Sequence, residues 1–326
     1  MMFLENLSMD SLVWMVVFAP FLFGLVFLHE NSVPERTLNA GDNGPFDLPV
    51  NPVSFLLLHV RAEATVAAAD FQQLLGHITN ITVTFKGTNI LSMSGVDLAR
   101  AVHHLWGKSL PIENFGVVAP GLVSFTVPIP FTRKPYWSKE AFPATRRGEF
   151  TISIQRSAAL TNLANPVFTI EAVELLESEP VQFLKMVTLS RAIVAGDADM
   201  ELPIGNPFLG LQVFSPTAMG NAPISETIRR MRLLLDNVEY DYADTAFDVA
   251  RTIGWLRGAD QTNYTGLPSL LRNYAYLDFD PLMDESFVVE TEGRASVRLR
   301  FTPDVGGTVR VTPVELVRLP GAGGGA

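Results

Sequence analysis

Few residues in this chain have the chemistry and the spacing of a catalytic or metal site. His103 and His104 are neighbours in a helical pattern, so their side chains point about 100° apart and do not chelate one metal together. The Gly-Lys-Ser run at 107–109 resembles the end of a phosphate-binding loop, but Val102 stands where that loop needs its first glycine. The Gly-x-Ser-x-Gly, His-Glu-x-x-His and dinucleotide-binding glycine patterns do not occur. We therefore expect no enzymatic activity and no cofactor.

Two segments of opposite charge remain as candidates for a binding site. The segment 131–147 has a single acid, Glu140, and five basic residues, Arg133, Lys134, Lys139, Arg146 and Arg147. The segment 278–292 has no base and six acidic residues, Asp278, Asp280, Asp284, Glu285, Glu290 and Glu292. Carboxylates in such number can bind Ca²⁺, although their spacing matches no EF-hand loop. Structural Ca²⁺ is therefore kept as an alternative that calorimetry can test.

The chain contains one stretch twice, and this repeat organises the rest. Residues 96–107 match residues 247–258 at an offset of 151 (247 − 96). Five pairs are identical: Asp97/Asp248, Ala99/Ala250, Arg100/Arg251, Leu105/Leu256 and Gly107/Gly258. Flanking segments match in the same order: 48–52 with 202–207, 123–127 with 275–279, 148–154 with 293–299, and 168–175 with 309–316. The sequence therefore predicts two copies of one domain.

The repeated Asp and Arg residues have a structural rather than a catalytic interpretation. Asp97 and Arg100 lie three residues apart on one helical face, as do Asp248 and Arg251. We interpret each pair as a helix cap or an i,i+3 ion pair, because active sites are rarely kept in two copies.

Composition narrows the function further. The chain has 326 residues, a net charge of −10, no cysteine and 48% hydrophobic residues. The acidic charge argues against direct binding of nucleic-acid phosphates, and the absence of cysteine excludes disulfides and thiolate metal sites. The high hydrophobic content is typical of a protein that covers apolar surface with other subunits or with lipid.

The N-terminal segment 1–30 is predicted as an apolar helix close to a membrane. Residues 12–28 carry no charge, and seventeen helical residues rise about 26 Å against a bilayer core of about 30 Å. Glu5 and Asp10 precede this run without any basic residue, which is unlike a secretory signal. The predicted membrane-contact residues are Trp14, Val17, Phe18, Phe21, Phe23, Val26 and Phe27. Burial of this segment against neighbouring subunits is the alternative.

Strands dominate each predicted copy, and one short helix interrupts them. The segment 31–47 is predicted as a linker, 48–178 as the first domain, 179–201 as a connector, 202–319 as the second domain and 320–326 as a flexible tail. Strands are predicted at 53–60, 81–85, 90–91, 122–129, 149–154, 167–176 and 228–235, and 183–189 as a strand or short helix. The first helix has Ser94 as its N-cap and Gly107 as its stop. About 120 residues of short strands with one helix predict a jelly roll, so the expected fold is all-β, with two tandem jelly-roll β-sandwich barrels.

At this point the chain resembles the double jelly-roll major capsid proteins of membrane-containing icosahedral viruses, the adenovirus-hexon lineage. It is most similar to small corticovirus-like members from lipid-containing bacteriophages. The resemblance covers about residues 48–319 and rests on four runs in order: 81–87 (Ile-Thr-Val-Thr-Phe-Lys-Gly), 95–98 (Gly-Val-Asp-Leu), 121–128 (Gly-Leu-Val-Ser-Phe-Thr-Val-Pro) and 148–154 (Gly-Glu-Phe-Thr-Ile-Ser-Ile).

The resemblance implies a coat protein that forms homotrimers with a pseudo-hexagonal outline. Such trimers tile an icosahedral capsid shell over an internal lipid membrane, beside minor capsid or vertex proteins and without direct contact to nucleic acid. The protein would then be part of the virion, assembled in the cytoplasm of the host cell.

On this interpretation, the two charged loops meet between barrels and help to set the order of subunits in the trimer. The predicted subunit-interface residues are Arg133, Lys134, Trp137, Arg146, Arg147, Asp280, Asp284 and Glu285. Two solvated loops of unlike charge are the simpler alternative. A membrane-tethered tandem jelly-roll enzyme or carbohydrate-binding protein is the alternative function, and the acidic loop is its one candidate for a catalytic cleft.

Overall fold

The first half of the chain forms a barrel of two four-stranded sheets. The computed structural model describes residues 26–65, 71–107, 119–217, 227–240, 244–257 and 273–320. The first eight strands are β1 (Val26–Thr37), β2 (Gly41–Asp47), β3 (Val53–Ala64), β4 (Ile78–Phe85), β5 (Thr88–Met93), β6 (Gly121–Pro130), β7 (Phe150–Arg156) and β8 (Leu163–Leu176). Helix α1 (Phe71–Gly76) follows β3, and α2 (Gly95–Trp106) follows β5. One sheet has the order β1-β8-β3-β6, and the strands β5-β4-β7-β2 form the opposing sheet.

The second half repeats this arrangement after one connecting strand, β9 (Gln182–Val187). Its strands are β10 (Leu189–Ile193), β11 (Ala198–Glu201), β12 (Phe208–Phe214), β13 (Arg230–Leu235), β14 (Val238–Glu239), β15 (Thr245–Ala246), β16 (Tyr274–Asp278), β17 (Val297–Thr302) and β18 (Gly307–Arg318). Helix α3 (Phe247–Arg257) precedes β16, as α2 precedes β6. The strands β16-β12-β18-β10 form one face of this barrel and β11-β17-β13-β14 the other, with β15 beside β13.

The two halves correspond strand for strand, which confirms the predicted fold of two tandem jelly rolls. In the first barrel β1 pairs with β8, β2 with β7, and β3 with both β6 and β8. In the second barrel β10 pairs with β18, β11 with β17, and β12 with both β16 and β18. All of these pairs are antiparallel. In the first barrel helix α2 lies between β5 and β6, and in the second barrel helix α3, preceded by the short β15, lies between β14 and β16. A module copied within the chain explains this identity of pairing.

Alternation of apolar and polar residues builds one hydrophobic core for each barrel. Along β7 the sequence Phe-Thr-Ile-Ser-Ile places Phe150, Ile152 and Ile154 in the first core and the hydroxyl side chains between them toward the other face. Along β17 the same period of two buries Val297, Leu299 and Phe301 in the second core. Because side chains alternate along a strand, the residues between the core residues point to the outside of each barrel.

Both barrels share one continuous sheet through β9 and β18. The first residues of β18 pair with β10, and its last residues pair with β9, where Leu316 lies opposite Leu184. Strand β9 in turn runs parallel to β5 of the first barrel, with Leu91 opposite Met186. The predicted connector 179–201 therefore contains β9, β10 and β11, and the second barrel begins at Leu189 rather than at 202.

The predicted linker at 31–47 is wrong, because β1 and β2 occupy it. Both strands lie at sheet edges and pair on one side only. Their registers shift where Pro34 and Pro45 fall, between Val33 and Arg36 and between Asn43 and Phe46. Edge strands tolerate proline, charge and bulges, and these features erase the alternation by which a strand is recognised in sequence.

The predicted N-terminal helix is corrected for residues 26–30, which belong to β1. Among the predicted membrane-contact residues, Trp14, Val17, Phe18, Phe21 and Phe23 lie outside the described residues, whereas Val26 and Phe27 begin the strand. Phe27 is exposed, and its ring lies 5.2 Å from that of Tyr136. Within the ranges that the structure describes, no helix has the length and apolar character needed to cross a bilayer.

The local signals at the first helix are confirmed. The backbone N–H of Asp97 donates to the Ser94 hydroxyl at 3.1 Å, which caps the start of α2. Gly107 ends the helix with a φ of 63°, a left-handed conformation that glycine adopts without strain. Helix α2 thus begins and ends at the residues that the sequence predicts.

A buried carboxyl group lies where β1 meets β8. Glu174 is fully buried opposite Leu28, and one of its oxygens accepts a hydrogen bond from the Asn51 side chain at 2.6 Å. Burial, together with a hydrogen bond shared with Glu30, raises the pKa of Glu174 from 4.5 to about 7. The folded chain therefore holds a proton at this site that the unfolded chain releases in the same pH range.

This proton predicts a pH-dependent stability. Because the folded-state pKa is the higher one, stability should decrease as pH rises from about 4.5 to about 7. Glu174→Gln keeps an acceptor for Asn51 but cannot ionise, so we expect a higher unfolding temperature than wild type at pH 8 and a similar one at pH 5. Thermal unfolding at both pH values measures this, with the exposed Glu179→Gln as control. An equal pH dependence in wild type and Glu174→Gln would contradict the assignment.

Candidate functional site

The polar residues that the sequence singles out converge on the junction between the two barrels. In the second barrel, Leu211, Val213, Ala275, Leu277, Val309 and Val311 point into the core. The alternate residues Gln212, Tyr274, Tyr276, Arg310 and Thr312 therefore point outward from the same sheet. Helix α2 of the first barrel lies on this outer face, as the contacts of Asp97, Arg100 and His104 show.

Asp97 is the charged centre of this helix-on-sheet contact. Its carboxylate accepts hydrogen bonds from the Tyr274 hydroxyl at 2.8 Å and from Arg310, through Nε at 3.0 Å and through Nη2 at 3.0 Å. The guanidinium of Arg100 lies 5.7 Å from the centre of the Tyr274 ring, and burial raises the pKa of that tyrosine. A two-pronged Arg–carboxylate pair fixes both distance and orientation, so it sets the angle of α2 on the second barrel.

The i,i+3 interpretation of the repeated pair holds in the second copy and fails in the first. Arg251 Nη2 lies 3.0 Å from Asp248 on the same helix. Asp97 instead pairs with Arg310 of the other barrel, although its side chain also accepts a hydrogen bond from the Ser94 hydroxyl at 2.8 Å. The duplicated aspartate has therefore been reused at the junction in the first copy.

The two adjacent histidines are both buried at the junction. His104 stacks on Tyr276 with ring centres 4.8 Å apart, and its Nδ1 lies 3.2 Å from the side-chain oxygen of Gln212. Because the Gln212 amide nitrogen donates to the Asp97 carbonyl at 2.9 Å, Nδ1 of His104 is the donor in this contact. Burial and the nearby Arg100 lower the pKa of His103 to about 4. No group of three His, Asp or Glu side chains in the described residues is arranged for a metal ion.

Gly210 is required where Tyr276 turns toward the junction. A Cβ atom at Gly210 would lie 2.3 Å from the Tyr276 hydroxyl and 2.8 Å from the Leu277 carbonyl oxygen. Any larger residue would displace the tyrosine ring from His104, so the close backbone approach and the ring stacking depend on each other.

A second charged cluster joins the basic loop of the first barrel to the acidic loop of the second. Arg133 Nε donates to Glu140 at 2.9 Å, Nη1 donates to Asp280 at 2.6 Å, and Nη2 donates to Glu285 at 2.8 Å. Gln182 of the connecting strand β9 also donates to Glu285, at 2.8 Å. The guanidinium thus holds together three carboxylates from both barrels, and β9 closes the cluster.

Burial sets the electrostatics of this cluster. Burial disfavours the charged guanidinium, but Glu140 and Asp280 outweigh this effect and raise the pKa of Arg133 above its ordinary value. Burial also disfavours the charged form of Glu140 and raises its pKa, although Arg133 opposes this effect. Glu285 is only partly buried, and although that burial opposes the charged form, hydrogen bonds from Gln182 and Arg133 lower its pKa. The arrangement favours one charged guanidinium at the centre of the junction.

The structure buries some of the predicted subunit-interface residues and exposes others. The unlike loops do meet between barrels, but they meet within one chain, and Arg133 and Asp280 are buried there instead of facing a neighbouring subunit. Lys134 is exposed and lies over the Trp137 ring at 5.4 Å, and Asp284 is exposed and accepts from the Ser286 N–H. Arg146 and Arg147 are exposed, with Arg147 3.7 Å from Asp47. For the remaining six residues a role between subunits stays a prediction: Lys134, Trp137, Arg146, Arg147, Asp284 and Glu285.

The alternative of a Ca²⁺ site in the acidic loop also stays a prediction, with fewer free ligands than the sequence indicates. Asp280 and Glu285 already bind Arg133, and Asp278 accepts a hydrogen bond from the backbone N–H of Asp280 at 3.0 Å. Asp284 and Glu290 remain exposed, and Glu290 lies 3.2 Å from Arg318.

Sequence reasoning missed the residues of the second barrel that receive α2. Tyr274, Tyr276, Gln212 and Arg310 were not singled out, although one signal was present. Strand β16 reads Tyr-Ala-Tyr-Leu-Asp without the clean alternation of β6, and all five of its residues are buried. A strand that is apolar on both faces is buried on both faces. One face of β16 packs in the core of the second barrel, and α2 covers the other face.

The Arg133 cluster predicts a large loss of stability when its centre is removed. Arg133→Met leaves the buried carboxylates of Glu140 and Asp280 without a counter-charge, so we expect a loss of about 3–5 kcal/mol in the free energy of unfolding. Urea unfolding at pH 7.5 measures this. Arg147→Met is the matched control, because the Arg147 side chain is 90% exposed whereas that of Arg133 is 4% exposed. Equal unfolding midpoints for the two variants would contradict the assignment.

Comparison with solved structures identifies the fold. The chain is similar to the major capsid protein P2 from bacteriophage PM2, at 13% identity over 90% of this chain and 98% of that one, with a TM-score of 0.63. It is similar to a chain of Sulfolobus turreted icosahedral virus, at 14% identity over 90% of this chain and 91% of that one, with a TM-score of 0.67.

A third similar structure is the Faustovirus major capsid protein, at 9% identity over 93% of this chain and 92% of that one, with a TM-score of 0.57. No protein-family model and no curated protein matches the sequence. Each match covers at least 90% of the chain and so includes both barrels, and the chain therefore has the double jelly-roll fold of viral major capsid proteins.

Proposed function

We propose that this chain is the major coat protein of an icosahedral virus and that it assembles as a homotrimer with a pseudo-hexagonal outline. The observation that carries the proposal is the strand-for-strand duplication of one jelly roll within a chain whose fold matches capsid proteins along 90% of its length. Three such chains present six nearly equivalent barrels, which suits hexagonal tiling of a shell.

The junction supports this function because it makes the two barrels one rigid block. The shared sheet through β9 and β18, the Asp97–Arg310 pair and the Arg133 cluster all resist rotation of one barrel against the other. A shell unit needs such rigidity, because small changes of angle within the unit would accumulate over many units.

Charge supports a place in the shell without direct contact to the genome. The net charge of −10 disfavours binding to phosphates, so the expected partners are other copies of the chain and minor capsid or vertex proteins. The virion is the proposed location.

Contact with an internal lipid membrane is proposed for the end of the molecule where β1 begins and β18 ends. The apolar run 12–28 leads into β1 at this end, beside the exposed rings of Phe27 and Tyr136. Lys134 and Lys139 are exposed in the same loop as Tyr136. Aromatic rings next to basic side chains suit the headgroup region of a bilayer.

The alternative of a membrane-tethered enzyme or carbohydrate-binding protein is not favoured. Its one candidate cleft was the acidic loop, and two of the carboxylates there, Asp280 and Glu285, are engaged by Arg133. Carboxylates whose oxygens already accept hydrogen bonds from a guanidinium are poor general bases, since those oxygens are not free to contact a substrate.

Assembly is tested on the purified full chain. Sedimentation and electron microscopy should give trimers with a hexagonal outline, or shells, without any added partner. Monomers at all concentrations up to those of a virion shell would contradict the coat function.

Membrane contact is tested separately by flotation with vesicles of mixed neutral and anionic lipid. The full chain should float, and a chain that begins at residue 26 should remain at the bottom while still forming trimers, because it keeps all of β1. Equal flotation of both chains would remove the N-terminal run as the lipid contact.

A further inference from the structure

A buried carboxylate on β18 brings a lysine amine and an asparagine amide together. Glu315 is 2% exposed, and its two oxygens accept hydrogen bonds from Lys185 Nζ at 3.0 Å (Oε1) and 3.1 Å (Oε2). The side-chain nitrogen of Asn206 donates to Oε2 of the same carboxylate at 2.7 Å. The Lys185 side chain is itself 22% exposed, so most of it is withdrawn from water. An amine and a side-chain amide therefore lie side by side on one carboxylate.

The surrounding strands hold these three side chains in place. Lys185 lies directly opposite Glu315 on β9, and β12 pairs with β18 on the other side. Asn206 immediately precedes β12, and the Thr291 hydroxyl donates to its carbonyl oxygen at 2.6 Å. The same hydroxyl accepts a hydrogen bond from the Gly205 N–H at 2.9 Å. Groups that are held next to each other in this way react without the entropic cost of being brought together.

The first barrel has the same carboxylate and the same asparagine, but it has no lysine there. By the match between the two copies, Glu174 corresponds to Glu315, and it accepts a hydrogen bond from Asn51 at 2.6 Å. Leu28 lies opposite Glu174, at the position that Lys185 takes in the second barrel. The pair of asparagine and glutamate therefore belongs to the repeated fold. The amine is found only in the second copy, on the strand that joins the barrels.

We propose that Lys185 and Asn206 become joined by an isopeptide bond, an amide between their side chains, and that Glu315 catalyses its formation. The reaction releases ammonia and needs no reactant beyond the three side chains. This self-modification goes beyond the coat function and does not depend on it.

Glu315 is placed to move the protons that the reaction requires. Its Oε1 accepts a proton from the Lys185 ammonium, and the freed Nζ attacks Cγ of Asn206. The Cγ–Nζ bond forms, and the Cγ–Nδ2 bond breaks. Nζ loses two protons in total: one reaches Nδ2 by way of Oε2 and completes the leaving ammonia, and the other leaves with it as ammonium. Glu315 ends the reaction ionised, as it began.

The bond fastens the connecting strand to the second barrel. It joins β9 to the segment before β12, on the two sides of β18, so the shared sheet is closed by a covalent link as well as by its backbone pairs. A cross-link also restricts the unfolded chain, which stabilises the folded one.

The intact mass of the purified full chain, measured under denaturing conditions, tests the proposal. The wild-type chain should be lighter than its sequence by one ammonia molecule, and a protease digest should give a branched peptide that joins Lys185 to Asn206. Lys185→Arg keeps the positive charge but removes the nucleophile, so it should have the full mass. Lys86→Arg is the matched control, because the Lys86 side chain is 59% exposed, and it should be as light as wild type. Full mass in the folded wild-type chain, the result for an ion pair only, would overturn the proposal.

Glu315→Gln tests the role of the carboxylate, because it keeps the shape of the side chain but cannot take the proton from lysine. We expect the full mass, and a folded variant as light as wild type would remove Glu315 as the catalyst. If Glu315→Gln does not fold, the masses of wild type and Lys185→Arg still decide whether the bond forms. A succinimide would also release ammonia, but Pro207 has no backbone N–H with which to form one at Asn206. Loss of ammonia that persists in Lys185→Arg, with linear peptides alone, would therefore count against the bond.

Discussion

One strand, β18, determines how the two barrels are placed. Its first part pairs with β10 and β12 inside the second barrel, and its last five residues pair with β9, which lies beside β5 of the first barrel. These are backbone hydrogen bonds of one continuous sheet, so they hold regardless of which side chains stand on the strands. The barrels cannot turn about a flexible hinge without breaking this ladder. The side chains of the junction therefore refine an orientation that the main chain already imposes.

The charged groups at the junction act on orientation more than on net stability. Burial of the Arg133 guanidinium and of two carboxylates carries a desolvation cost that offsets much of their mutual attraction, and apolar packing of the same volume would often be as stable. Arg133 nevertheless accepts few alternative geometries, because its donors are directed at Glu140, Asp280 and Glu285 at the same time. The same holds for Asp97 between Tyr274 and Arg310. A shift or rotation of the second barrel would leave a buried charge unpaired in each cluster, so each cluster disfavours such a change.

The sequence predicted the interior of each barrel well and its edges poorly, for one physical reason. Central strands such as β7 are packed on one face and alternate cleanly, so both their existence and their match between copies could be read from the chain. Edge strands β1 and β2 pair on one side only and contain Pro34 and Pro45, so their residues resemble those of a linker. The meeting of the charged loops was predicted from charge, but charge alone did not tell a contact within a chain from one between chains. Only the path of β9 and β18 brings Asp280 to Arg133 in the same molecule.

Duplication within one chain has a consequence that two separate domains would not have. The first copy of the helix has become specialised, since Asp97, Arg100 and His104 carry the polar contacts of the junction. The second copy keeps apolar Val249 and Ile253 at its surface and holds Asp248 in a local pair with Arg251. The two copies of one helix therefore differ in what their aspartate does: Asp97 pairs across the junction with Arg310, and Asp248 pairs within its own helix. A pair within one helix constrains only that helix, whereas a buried pair between barrels also constrains their relative orientation, because any shift would leave a charge unpaired.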